Sequence, residues 1–243
     1  MGILLKADFA RRVTLEGVGP VPRPVDVDAA QTGFKALRTL RIYQFDTGAA
    51  VEGHAEEDEV FMVALTGAAD LVLKSDRWSE SAMHHNLEAP TDGVDVACAA
   101  YLPPHAEYVL TPRTACDIAY IRATPGVGRP PAILRSVFVA DETGSHGLID
   151  ATGVAERLSM RLVQVKSAAG SAELNLRGAA EMQQESFVHL RTHPATGAAH
   201  IAVGAIAPQT LESWDTMALP SGETARLHVA AGASVLCLIV AAR

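Results

Sequence analysis

One short pattern occurs twice in this chain, and its return narrows what the chain can fold into. Leu40-Arg41-Ile42-Tyr43-Gln44-Phe45 comes back as Met160-Arg161-Leu162-Val163-Gln164-Val165, an offset of 120 residues. Tyr101-Leu102-Pro103-Pro104 comes back as Ala218-Leu219-Pro220-Ser221 at an offset of 117, and Cys116–Ile121 resembles Val235–Val240. Three echoes in one order at nearly one offset indicate two copies of one unit. The 243 residues therefore divide into two small domains, each of an ordinary size for an independent core. The proline- and glycine-rich stretch Thr124–Pro131 has the composition of a connection, which places the boundary between an N-terminal domain, residues 1–125, and a C-terminal domain, residues 126–243.

Within each copy the apolar runs are short and punctuated by Gly, Pro, Asp or Ser: Leu40–Phe45, Val60–Leu65, Leu71–Leu73, Val94–Leu102 and Ile118–Ile121, then Leu158–Val165, Phe187–Leu190, Ile201–Ile206 and Val235–Val240. Runs of this length and spacing predict strands, and several per hundred residues predict an all-β sandwich or barrel. No convincing helix is expected; Thr152–Arg157 is too short. The net charge of −8 repels phosphate and sets nucleic acid aside as a partner. No apolar run approaches the roughly 20 residues that span a bilayer, and Ile3-Leu4-Leu5 is too short an apolar stretch for a signal peptide. The expectation is a cytoplasmic protein without a membrane partner. Cys98, Cys116 and Cys237 lie far apart in apolar runs, an odd number without a C-x-x-C pair, and are expected as buried free thiols.

The stretch from Asp46 to Gly67 reads D-T-G-A-A-V-E-G-H-A-E-E-D-E-V-F-M-V-A-L-T-G. It resembles the first motif of the cupins, G-(x)5-H-x-H-(x)3-4-E-(x)6-G. Alternation along a strand puts the first two motif ligands on one face, and a carboxylate further on returns to the same cavity. Aligning Glu59 with the motif glutamate puts His54 at the second histidine and Glu52 at the first. The interval from Glu59 to Gly67 is one residue too long, which a β-bulge absorbs. The second cupin motif, P-x-G-x-x-H, is matched by Pro103-Pro104-His105-Ala106-Glu107-Tyr108, with His105 at the glycine and Tyr108 at the ligand; in the second copy Pro220-Ser221-Gly222-Glu223-Thr224-Ala225 keeps the turn and ends on alanine.

Together the halves look like a bicupin: an all-β chain of two tandem cupin (double-stranded β-helix, jelly-roll) barrels. Asp58–Gly67 followed by Ala89-Pro90-Thr91-Asp92 is similar to the 5-deoxy-glucuronate isomerase and 5-keto-4-deoxyuronate isomerase family. That resemblance implies a zinc-type metal-dependent isomerase of sugar acids, its metal held in the C-terminal barrel by three histidines and a glutamate. Here residues 172–184 contain no histidine, Ala225 stands at the last ligand, and Glu185 alone matches a ligand position.

The candidate metal ligands are Glu52, His54, Glu59 and Tyr108, an oxygen-rich set for one divalent zinc, manganese or iron ion, with a metal-free protein as the alternative. The candidate catalytic groups are Glu59 and Glu185, and the candidate substrate-binding groups are Arg191, His189 and His105. Glu185, Phe187, His189, Arg191 and His193 share one parity on an expected strand, facing either the barrel cavity, where Arg191 pairs with a sugar acid, or solvent. His84-His85 is expected in a surface loop; Trp78 and Trp214 are read as core or interface, or as stacking surfaces for a sugar.

A metal-dependent oxygenase of the wider cupin class ranks last, because such enzymes usually use two or more histidines and the first motif offers one; two functions stand ahead of it. One is aldose–ketose isomerisation of a uronate-like sugar in carbohydrate or inositol breakdown, which needs a base at carbon and a cation or donor at the developing oxyanion. The other is a non-catalytic bicupin, without its metal, that binds a small molecule or serves a structural or regulatory partner. Exposed sheet edges lead to the expectation of a homo-oligomer.

Overall fold

The computed structural model describes residues 2–75, 77, 79–90, 94–136, 139–140, 145–167, 171–176, 183–193, 199–204 and 208–243, the side chains of residues 79–81, 139–140 and 145–148 excepted. Among them the only α-helix is the single turn Ala29–Thr32, capped by Asp28 and ended by Gly33. No helix is long and apolar enough to cross a membrane. The remaining elements are strands, and each apolar run expected as a strand overlaps one, such as Leu37–Phe45, Glu59–Thr66, Leu158–Lys166 and Ser234–Ala242, with Ile206 of the run Ile201–Ile206 outside the described residues.

The strands form two barrels. In the N-terminal barrel a six-stranded sheet, in the order Ala132–Arg135, Ala97–Leu102, Glu59–Thr66, Cys116–Ala123, Leu37–Phe45 and Val25–Asp28, closes over a four-stranded sheet of Val51–His54, Glu107–Pro112, Ala68–Ser75 and Ser79–Glu88. The C-terminal barrel repeats the plan with Thr216–Leu219, Glu185–His193, Ser234–Ala242 and Leu158–Lys166 at the centre of a seven-stranded sheet, over Ala172–Asn175, Ala225–Val229, Ala199–Val203 and Gln209–Leu211. The three sequence echoes fall on equivalent strands. The copies also exchange edges: Ile3–Leu5 pairs with Thr216–Leu219, and Ala132–Arg135 pairs with Ala97–Leu102.

Each large sheet is apolar on both faces, because one face closes its own barrel and the other packs against the second barrel. Val60, Met62 and Ala64 turn into the N-terminal barrel, while Phe61, Val63 and Leu65 turn to the seam. Val188 and Leu190 fill the C-terminal barrel, and Phe187 crosses the seam to stack on Phe34 at 5.3 Å. At the end of Glu59–Thr66 the register against Cys116–Ala123 steps from Ala64–Ile118 to Thr66–Asp117. Leu65 is the extra residue, the bulge that the long Glu59–Gly67 interval requires. Gly67 follows at φ +66°, where a Cβ would lie 2.1 Å from the Ala115 carbonyl oxygen, so only glycine closes this turn.

Candidate functional site

The residues singled out from the motifs separate into two places. Glu59 and Glu185 lie in the seam between the barrels. Glu59 is fully buried and accepts hydrogen bonds from the Tyr101 hydroxyl at 2.9 Å and from the backbone N–H groups of Glu156, Arg157 and Leu158 at 2.9, 2.6 and 3.2 Å. Glu185 accepts from the backbone N–H groups of Lys35, Ala36 and Leu37 at 2.7, 2.7 and 3.0 Å. Both carboxylates thus hold strand ends of the opposite barrel, and neither faces a barrel cavity. Glu59 shares the seam-facing parity of Phe61 and Val63, not the cavity-facing parity of Val60 and Met62; because all of Val60–Leu65 is buried, alternation gives no sign of which face is the cavity.

The strand Glu185–His193 meets neither of its two expected orientations. Glu185, His189 and Arg191 are on the seam face, toward the other barrel, and only His193 at the strand end is exposed. Arg191 pairs with Asp117 at 2.8 Å and lies over the Trp214 ring at 3.2 Å; Asp117 also accepts from Gln44 and Thr66. His189 is buried, its Nδ1 3.1 Å from Thr216 Oγ1, and burial, with Arg191 nearby, holds its pKa well below the usual histidine value. Trp214, at φ +78°, has one face covered by Arg191 and meets the Phe9 and His189 rings in T-shaped contacts, which makes it an interface residue. His105 lies apart from these groups in the exposed turn after Pro103, at φ +66°, its N–H donating to the Glu56 carbonyl at 2.5 Å.

The second place is the outer surface of the N-terminal barrel. Val51 takes the inward position of its strand, so Glu52 and His54 face outward. They line a groove of about 550 Å³ on the outer face of the four-stranded sheet. Two cross-strand rows build it: Glu52, Val109 and Val72, then His54, Glu107 and Lys74. Val72 and Val109 supply an apolar floor between charged walls. Tyr108 reaches the groove across Gly53, where a Cβ would lie 2.5 Å from the tyrosine ring. Its hydroxyl is hydrogen-bonded to Tyr120, whose own hydroxyl donates to the His54 carbonyl at 3.4 Å. Arg23 donates to the Tyr43 hydroxyl at 3.4 Å. Burial raises the Tyr108 hydroxyl and pushes the Tyr120 hydroxyl up to about 12, so both stay protonated and can donate.

Beside the tyrosines, Arg122 pairs with Glu56 at 2.6 Å and Asp58 at 2.7 Å, and Arg38 lies 3.2 Å from Asp58. Arg122 holds the Glu56 carboxyl below the usual range, whereas Asp58, 1% exposed, is raised because burial outweighs both arginines. Tyr43, Tyr120, Arg122, Lys74 and Glu107 were not among the expected site residues. The repeat carries a signal for two of them: Tyr43 aligns with Val163 and Tyr120 with Ile239, a phenol against an aliphatic each time.

The proposed ligand set does not fit one metal ion. Glu52, His54 and Tyr108 share the groove, but Tyr108 is turned inward from the sheet face that carries the other two, and Glu59 is in the seam with its oxygens occupied. Tetrahedral zinc requires every donor within about 2.0–2.3 Å of one point. Among the described residues no group of three or more His, Cys, Asp or Glu side chains is placed to hold a metal ion. In the C-terminal barrel the last ligand position is the buried Ala225, packed in an aliphatic core.

Other expectations resolve simply. His84 and His85 belong to the strand Ser79–Glu88, not to a loop; the edge of an antiparallel sheet tolerates polar side chains on its open face. Cys98, Cys116 and Cys237 are buried free thiols, raised by burial to about 12, 11 and 12. His200 meets Thr210, and His228 lies 3.7 Å from Glu173. Trp78, Thr91, Asp92, Pro194 and the side chain of His146 lie outside the described residues.

No protein-family model and no curated protein matches the sequence. Solved structures do match the fold. An IolB-like protein from Salmonella typhimurium LT2 superposes with a TM-score of 0.71 at 15% identity, over 99% of this chain and 92% of that one. A variant of Bacillus subtilis oxalate decarboxylase gives 0.69 at 10% identity over 99% and 77%, and the formate complex of Lactobacillus farciminis oxalate decarboxylase gives 0.69 at 11% over 99% and 86%. The architecture expected from the motifs is the one observed: by fold the chain is a bicupin, two tandem cupin barrels.

Proposed function

We propose that this bicupin binds a small hydroxylated molecule in the groove on the outer face of the four-stranded sheet of its N-terminal barrel and does not carry out metal-dependent isomerisation. The observation that carries this reading is the placement of the two motif glutamates. Each accepts three backbone N–H groups from the opposite barrel, which leaves neither free to move a proton on a substrate. The groove offers what hydroxyl recognition uses: carboxylate acceptors at Glu52 and Glu107, a phenol at Tyr108, an imidazole at His54 and an apolar floor. Such a molecule lies with its carbon face on Val72 and Val109 and its hydroxyls against the charged rows.

The isomerase reading has one observation in its favour: Glu52, His54 and Tyr108 share a single groove with Lys74, in a fold similar to an IolB-like protein. In that reading His54 or Glu52 takes the proton from carbon and Lys74 faces the oxyanion.

One titration separates the two. Calorimetry of the purified protein with uronates and with the corresponding neutral sugars, alongside a turnover assay on the uronates and elemental analysis, should show binding that falls at least about tenfold in Glu52→Gln, without turnover and without stoichiometric metal. Turnover that disappears in His54→Ala, or metal that leaves with it, sinks the binding-only reading. Heat that is unchanged in Glu52→Gln, Tyr108→Phe and His54→Ala removes the groove as the site.

A further inference from the structure

The two seam carboxylates are related by the internal duplication. Glu59 begins the strand Glu59–Thr66 and Glu185 begins the equivalent strand Glu185–His193. Each receives its first amide on Oε1 and the next two on Oε2: Glu156, then Arg157 and Leu158, for Glu59; Lys35, then Ala36 and Leu37, for Glu185. The receiving amides lead into Leu158–Lys166 and Leu37–Phe45, the strands of the first sequence echo. The pattern is isologous, patch A of one half on patch B of the other and the reverse, as in a two-fold dimer but within one chain.

Strand register closes these contacts into a ring. In the N-terminal barrel Ala123 is the cross-strand partner of both Glu59 and Leu37. In the C-terminal barrel Ala242 is the partner of both Glu185 and Leu158. Starting from Glu59, the path crosses to the Leu158 amide, passes through Ala242 to Glu185, crosses back to the Leu37 amide, and returns through Ala123. Both alanines are buried in the seam core, and their small side chains let the two rows approach. Moving one strand row shifts a carboxylate and a receiving site together, so one latch does not loosen without displacing a partner of the other.

We infer that Glu59 and Glu185 form one cooperative lock, a ring that opens and closes the barrel seam as a unit. Hydrogen exchange of the full chain, read at the amides of residues 35–37 and 156–158, tests this. Glu59→Gln places an amide donor among backbone donors and is expected to raise exchange about tenfold or more at 156–158 and also at 35–37, although Glu185 is untouched. Glu185→Gln is expected to give the mirror image. A rise confined to the three amides facing the substituted residue overturns the inference. If either variant fails to fold, exchange of the unmodified protein in sub-denaturing urea decides the matter. The six amides are expected on one isotherm, distinct from barrel-interior amides such as Leu71 and Leu227; two separate isotherms, or one merged with the interior, overturn it.

Discussion

The two barrels share a strand plan and differ in what fills them. At three equivalent positions the N-terminal barrel has Tyr43, Tyr108 and Tyr120 where the C-terminal barrel has Val163, Ala225 and Ile239. In the first set the Tyr108 and Tyr120 hydroxyls are hydrogen-bonded to each other, Tyr120 donates to the His54 carbonyl and Tyr43 accepts from Arg23; the second set packs in an aliphatic core. The seam shows the reverse. There the copies remained alike, each supplying a carboxylate to three amides of the other. The contrast teaches that two kinds of burial act on this chain: barrel interiors diverge because any apolar set of suitable volume packs, whereas a carboxylate satisfied by three amides has few substitutes.

The largest expected effect lies in the seam. Glu59→Ala leaves three backbone donors and the Tyr101 hydroxyl without their acceptor at a fully buried site, and should lower stability by about 3–5 kcal/mol. Glu185 is only partly buried, so water replaces part of what Glu185→Ala removes, and about 1–3 kcal/mol is expected. Urea midpoints of the two variants measure the difference. Equal losses would show that the two ends of the seam are equally closed to water.

The barrel contrast can be broken from either side. Tyr108→Ala copies the C-terminal barrel into the N-terminal one; it opens a cavity beside Tyr120 and should cost about 3 kcal/mol along with ligand binding. Ala225→Tyr is the opposite transfer. It forces a ring among Val203, Leu227 and their neighbours, with an expected loss of about 1–3 kcal/mol from overpacking. Thermal unfolding of both, with binding measured on the first, tests whether the difference between the interiors is one of packing alone.

How much of this was legible in the sequence follows from what each pattern encodes. The repeat and the strand punctuation report local geometry and copy number, so two all-β barrels and a bulge somewhere between Glu59 and Gly67 could be read from Leu40–Phe45, Met160–Val165 and the long interval, while its place at Leu65 comes from the strand register. The site was less legible because parity needs a contrast between faces. On Glu59–Thr66 and Glu185–His193 both faces are buried, and a seam-facing Glu59 is indistinguishable from a cavity-facing one. Glu52 and His54 share one face, as alternation requires, but Val51 decides that the face is outward, and its burial is a tertiary fact. The seam itself had no sequence signal, since a third environment, neither cavity nor solvent, exists only once two barrels pack.

A smaller effect appears with pH and again contrasts the two copies. His189 is fully buried and neutral, and the equivalent residue of the first copy is Val63. Its folded pKa lies well below that of the unfolded chain, so the unfolded state binds the extra proton as pH falls. Stability is therefore complete above about pH 6.5 and falls by about 1.4 kcal/mol per unit below it, until the folded value is reached. Asp58 acts with the opposite sign and within the carboxylate range, because its raised carboxyl favours the proton in the folded state. His189→Val, which copies the first barrel, should flatten the fall between pH 6.5 and 5 in urea titrations. A slope that persists in the variant assigns it to other groups.

The smallest effect concerns the turn that the copies share. His105 occupies the left-handed region at φ +66°, and its counterpart Gly222 does so at φ +86°. A side chain there crowds its own backbone by roughly 1–2 kcal/mol, a strain glycine lacks. Glycine also gives the unfolded chain more freedom, which offsets about 0.5–1 kcal/mol of the relief. His105→Gly is thus expected to stabilise the protein by about 0.5–1 kcal/mol, read as a small rise in the urea midpoint. The same variant tests function, because His105 is exposed and its ring stands outside the groove residues that carry the binding proposal. Binding should remain within about twofold while stability rises. If affinity falls tenfold instead, the strained histidine is held in place for its ring, and the ligand site extends from the groove over the turn at the barrel mouth.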